Sequence, residues 1–182
     1  MTTKTLNISE EQLVDYSKAH NEPSWMTELR KKALKLTETL EMPKPDKTKL
    51  RKWDFDTFKQ HHTTGDSYHQ LTDLPKSVKE IIDVENSENL IIQHNNELAY
   101  TQVSDQAKHD GVIIEGLSEA LVNHSDLVQK YFMTKAVDVD EHRLTALHTA
   151  LVNGGIFVYV PKNTVVEHPI PVSYTHLTLP TK

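Results

Sequence analysis

An α+β fold is predicted by a change of period along the chain. Through residues 10–40 apolar side chains recur at helical spacing, whereas from about residue 89 they gather into short β-rich runs bounded by turn residues. Further helical stretches are interleaved with those runs, so strands and helices share the second half of the chain.

The first helix is signalled by "SEEQLVDYSKAH". Ser9 followed three residues later by Gln12 is a capping box, in which the two side chains satisfy otherwise orphaned backbone donors, and a helix over about 10–20 follows. After "NEP", Ser24 is expected to cap a second helix whose Trp25, Leu29, Ala33, Leu36 and Leu40 form one apolar stripe. Pro43 and Pro45 close that helix off, because proline removes a donor and restricts the residue before it. The charged connector "PKPDKTKLRKWDFDTFKQHH" still carries Trp53, Phe55 and Phe58, rings that bury large areas when they dock. It therefore reads as an ordered loop or short helix held against the body. "LPKSVKEIIDV" reads as one more short helix.

"NLIIQHNNELAYTQVS" predicts a hairpin turning at Asn95-Asn96, since asparagine tolerates the left-handed conformation that a tight turn needs. "GVIIEG" is a short strand and "LSEALVNHSDLVQKYF" a helix. "DEHRLTALHTALVNGG" is a longer helix with Leu144, Leu147 and Leu151 on one face and Gly154-Gly155 as its expected C-terminal cap. Its apolar face is expected to lie over the sheet begun at Ile156. "IFVYVPKNTVVEHPI" gives two extended runs around a proline suited to a strand edge.

Composition narrows the function classes. The 182 residues contain no cysteine, which removes disulfides, thiolate metal sites and cysteine nucleophiles from this stretch. No run approaches the roughly 18 apolar residues of a membrane span, and "MTTKTLNISEEQ" has no apolar signal region, so the expectation is a cytoplasmic protein with no membrane partner. The net charge of −6 argues against a nucleic-acid partner. Residues 28–59 nevertheless hold 10 of the 20 Lys and Arg against 6 acids, a local +4, read as a solvated helix beside a connector.

The eleven histidines raise the question of metal. His61, His62 and His69 sit in a polar loop, without an H-E-x-x-H frame or a cysteine ligand. His142 and His148 are six positions apart, about 240° around a helix, and cannot form a ligand pair. His148, between Leu147 and the small residues that follow, is expected to be partly buried, and His168 to lie on an exposed strand edge. The glycines fit neither phosphate-binding frame, and "GLSEA" is not G-x-S-x-G. Accordingly no catalytic, cofactor-binding or metal-ligating residue is assigned.

Residues 143–170, "RLTALHTALVNGGIFVYVPKNTVVEHPI", carry a helix with an A-L-H-T-A core close to an A-L-N-x-A motif, a glycine turn, and a strand of the form F-x-Y-V-P-K leading to x-E-x-P-I. Together with "LRKWDFDTF" at 50–58, "LIIQHNNELA" and "GVIIEGLSEAL" in order, they resemble the SufB/SufD family of iron–sulfur cluster assembly proteins over essentially all of 1–170. The low-cysteine character and the long helical lead-in resemble the D-type branch, in its staphylococcal form. His148 departs from the asparagine more usual in the motif. The resemblance implies a helical N-terminal region leading into the first rungs of a right-handed β-helix, here truncated, with "IFVYVP…TVVEHPI" as its start. It also implies a SufBCD-type complex: a SufB-like paralogue, a SufC-like ABC-type ATPase, and an iron–sulfur cluster at the subunit interface. The residues the family uses for those contacts lie downstream of Ile170, and none is carried over.

The expected division is 1–88, a helical region with a proline-rich connector; 89–171, a mixed segment entering the β-helix; and 172–182. The last segment, "VSYTHLTLPTK", can be back-translated into a transposase sequencing-adapter end as far as its final codon, and is expected to be read-through, with Pro171 in question. The function expected is that of a fragment of a non-catalytic scaffold subunit. Its rivals are a metal-dependent β-helix or cupin-like enzyme, for which the clustered histidine strands are missing, and a helical/β adaptor without metal.

Overall fold

The computed structural model describes residues 7–50, 53–55, 67–80 and 87–175. The chain divides into two compact units, each assembled from two stretches: Met1–His61 with Ala120–Asn153, and His62–Glu119 with Gly154–Lys182.

The first unit is helical. Helix α1 (Glu10–Ala19) starts at the expected capping box: Gln12 N–H donates to Ser9 Oγ at 3.2 Å, and Ser9 N–H donates to Gln12 Oε1 at 2.8 Å. After a turn in which Asn21 takes a positive φ of 53°, helix α2 (Ser24–Thr39) follows. Pro23 is the residue at its N-cap, and Ser24 is its first helical residue and makes no cap. Proline suits this entry because its fixed φ is already compatible with a helix start.

The buried face of α2 is Met26, Arg30, Ala33 and Thr37, while Trp25, Leu29, Leu36 and Leu40 of the expected stripe are only half-buried at its sides. Helices α5 (Leu117–Asn123), which spans the boundary between the units, and α6 (Ser125–Tyr131) replace the single helix expected there. The break is at His124, whose φ of −131° and ψ of 37° are not helical. Trp25 Nε1 donates to Ser125 Oγ at 2.8 Å, which ties α2 to the start of α6.

Helix α7 (Arg143–Leu151) buries Ala146, Leu147, Thr149 and Ala150. It packs against α2, while the sheet begun at Ile156, which it was expected to cover, belongs to the other unit. Small residues make the approach possible: Ala33 and Ala150 are both fully buried in one cluster with Leu13 and Val139. The glycine pair does not cap α7 either. The C-cap is Val152, with φ −55° and ψ 126°, and its N–H bonds His148 O at 2.8 Å.

The second unit holds the strands. β1 (Leu90–His94) and β2 (Glu97–Gln102) form the expected hairpin, with Asn95 at φ 57°. Its register shifts between Ile92 and Gln93, and the carbonyl of Ala99, within the shift, accepts from Tyr68 N at 2.8 Å. β1 is buried on both faces: Leu90 and Ile92 pack with Leu74, Val78 and Ala99, while Ile91 packs with Ala107, Val112 and Ile114. A continuous Leu-Ile-Ile run is what such a strand requires.

Of the expected "LPKSVKEIIDV" helix, Lys76–Lys79 is helical and is α3; residues 81–86 lie outside the described residues. A short helix not foreseen, α4 (Asp105–His109), is capped by Ser104, whose Oγ accepts from Ala107 N at 3.2 Å. β3 (Ile113–Gly116) pairs antiparallel with β4 (Ile156–Tyr159), and β5 (Val172–Thr175) pairs parallel with β1.

Among the described residues the strands thus make a three-stranded sheet, β2-β1-β5, and a two-stranded one, β3-β4, with no stacked rungs of a β-helix. The second extended run, 164–170, is not a strand. Val166 and Ile170 pack against the Ile91 cluster while Val165 between them is 79% exposed, so the segment alternates without joining a ladder. Gly154 has a steric role in this unit: a Cβ there would stand 1.8 Å from the carbonyl oxygen of Asn96 at the hairpin turn.

Candidate functional site

The most heavily bonded charged group described in the first unit is Arg30, 2% exposed on the inner face of α2. Its Nε donates to Glu22 Oε2 at 2.8 Å and its Nη2 to Glu22 Oε1 at 2.6 Å, a bidentate pair. Nη1 donates to Ala150 O at 2.9 Å and Nη2 to Val152 O at 2.6 Å, two of the last carbonyls of α7. These are the groups that a helix C-terminus leaves without partners, and a cation there also meets the negative end of the helix dipole. Ser17 Oγ bonds Glu22 Oε2 at 2.8 Å, and the Tyr16 ring lies 5.0 Å from the guanidinium carbon. With four of the five guanidinium N–H donors bonded, the cluster joins α1, α2 and α7 and reads as a structural clamp, not as a reactive centre.

The surface of the same unit carries a groove of about 770 Å³ between the proline connector, with Met42, Pro43 and Pro45, and a wall made by Leu50, Trp53 and Phe55. The Trp53 and Phe55 rings stack at 5.9 Å, yet Trp53 is 64% exposed. The connector is therefore ordered as expected at these positions, but its tryptophan is not docked into a core; Phe58 lies outside the described residues. Arg143, at the groove, donates from Nε to Thr37 O at 2.8 Å.

In the second unit a smaller hollow of about 260 Å³ is lined by Glu88, Asp105, Asp110, Glu167 and His168 among others. Asp110 accepts from Gln106 Nε2 at 2.9 Å, which holds its carboxyl below the ordinary value. Among the described residues no group of three His, Asp or Glu side chains is placed to hold a metal ion.

His69 is exposed, and His61 and His62 lie outside the described residues. His142 is the N-cap of α7: Thr145 N–H donates to its Nδ1 at 3.1 Å, and His142 N–H donates back to Thr145 Oγ1 at 3.1 Å. His148 is exposed, contrary to the expected partial burial, because the buried arc of α7 passes through Ala146, Leu147, Thr149 and Ala150 and leaves position 148 outside it. His168 is exposed in a bend, where its carbonyl accepts from Asn89 Nδ2 at 3.3 Å, and not on a strand edge.

Sequence reasoning missed the Arg30 clamp and the His142 cap. Arg30 had a signal, since it lies four residues after Met26 and three before Ala33, in the middle of what proved to be the buried face. His142 had none, because histidine is not among the common capping residues.

Residues 9–172 match the family described as SufBD protein N-terminal region. An iron–sulfur cluster assembly protein SufD of Bacillus subtilis is 46% identical over 94% of this chain and 39% of its own length. A SufBD family protein of iron–sulfur cluster assembly from Pyrococcus horikoshii is 30% identical over 90% of this chain and 38% of its own. One from Staphylococcus epidermidis is 27% identical over 90% of this chain and 37% of its own. The chain thus spans about two fifths of the length of these relatives.

Proposed function

The chain belongs to the SufBD family of iron–sulfur cluster assembly proteins, and from that premise we propose that it is the N-terminal part of a SufD-like scaffold subunit. The single observation that carries the D-type reading is the 46% identity to the Bacillus SufD across 94% of the chain. In this reading the whole protein works in the cytoplasm without catalytic residues of its own in this part. It joins a SufB-like paralogue and a SufC-like ABC-type ATPase, and the cluster is cargo handled at the interface of the assembled subunits.

The donor set of this chain does not suit a cluster: it has no cysteine, the usual iron–sulfur ligand. The part described here then serves as a folded lead-in, with the Arg30 clamp fixing the helices of the first unit. The right-handed β-helix is assigned to the length by which the relatives exceed this chain, with β4 and the alternating segment 164–170 leading towards it.

The division at residues 88 and 171 is part of the proposal, as is the adapter origin of Val172–Lys182, supported by its codon match. β5 does not weigh against that origin, because parallel pairing beside β1 runs through main-chain groups that any sequence supplies. The test is co-expression of the tagged full-length protein with the B-type and C-type proteins of the same organism. Recovery of the three in one complex is expected after gel filtration; a full-length protein that elutes without either partner contradicts the reading.

A further inference from the structure

We propose that the groove beside Trp53 is a docking site for an extended acidic segment of a partner protein, one that offers an aromatic or proline anchor flanked by carboxylates. The proposal stands on the groove itself and holds whether or not the scaffold reading does.

The wall is built from rigid apolar groups. Pro43 and Pro45 have fixed φ and lack backbone donors, and face a stacked Trp53–Phe55 pair whose rings are 5.9 Å apart. A stacked pair with the tryptophan 64% exposed presents a flat apolar surface at low entropic cost, the kind of surface that receives extended proline-containing or aromatic segments. A volume of about 770 Å³ accommodates two or three side chains of such a segment.

Charge selects the occupant. Among the described residues the groove is rimmed by Lys44, Lys49 and Arg143 against one carboxylate, Glu41, which Lys44 engages at 2.7 Å. Arg30, Lys31 and Lys35, of the same basic stretch 28–59, are paired with Glu22 and Glu10 and are not part of this rim. A cationic rim around an apolar floor attracts a carboxylate-bearing segment and repels a basic one. A nucleic acid strand would want a row of spaced stacking rings, and among the described residues the groove offers one pair.

The experiment uses the full chain and three labelled probes followed by fluorescence anisotropy: a peptide alternating Asp or Glu with Phe and Pro, the same peptide with lysine in place of each acid, and an oligo(dT) strand. The acidic peptide is expected to bind, and more weakly as salt rises. Trp53→Ala and Lys49→Glu are each expected to weaken it by about tenfold, whereas Trp53→Phe retains most of the binding. Trp53 is exposed, so its replacement leaves the fold intact, which circular dichroism checks. The proposal is overturned if the acidic peptide does not bind, if the lysine peptide binds equally well, if oligo(dT) binds more tightly, or if Trp53→Ala binds like the parent.

Discussion

Arg30 shows how one side chain can organise three helices. A buried guanidinium is tolerated because Glu22 and the carbonyls of Ala150 and Val152 take four of its five donors, so the cost of removing it is mostly what is left behind: a buried carboxylate and orphaned carbonyls. Arg30→Met is therefore expected to destabilise the protein by about 3–5 kcal/mol in urea unfolding. A loss below about 1 kcal/mol would show that the clamp is not formed. The capping box at Ser9 was legible in the sequence because its signal is local, two side chains three positions apart. The clamp was not, because its acceptors at Ala150 and Val152 are 120 and 122 positions away and an arginine taken alone reads as solvated.

At the scale of elements, the hairpin β1-β2 and strand β3 were read correctly because their turns and β-branched runs are self-contained. The partner of α7 was not, since an apolar face says that it will be covered and not by what. Short separation to the glycine turn suggested the sheet; small residues on both helices and the Arg30 bonds instead favour α2. Leu147, 8% exposed on the buried arc of α7, should still cost about 2–5 kcal/mol on replacement by alanine. The loss should appear as a lowered unfolding midpoint with unchanged slope. A change under about 0.5 kcal/mol would mean that the face is not packed. The glycine turn was assigned the wrong task for a related reason. Gly154 is needed where the backbone passes the Asn96 carbonyl, a contact between elements that no local pattern reports.

For the molecule as a whole, the order of motifs identified the family, while the two interleaved units could not be read from it, because each is closed by chain segments far apart in sequence. The absence of assigned catalytic residues followed from composition and missing motifs; the groove at Trp53 did not, because exposure of a tryptophan is a property of the folded surface. The central claim is that this chain is part of a SufD-like assembly protein whose work needs the longer protein. It is tested most directly by the activity of a [4Fe–4S] dehydratase in a strain lacking the gene. The account predicts that activity falls, that the intact gene restores it, and that residues 1–171 alone do not. Undiminished activity in the deletion strain, or full rescue by residues 1–171, would contradict it.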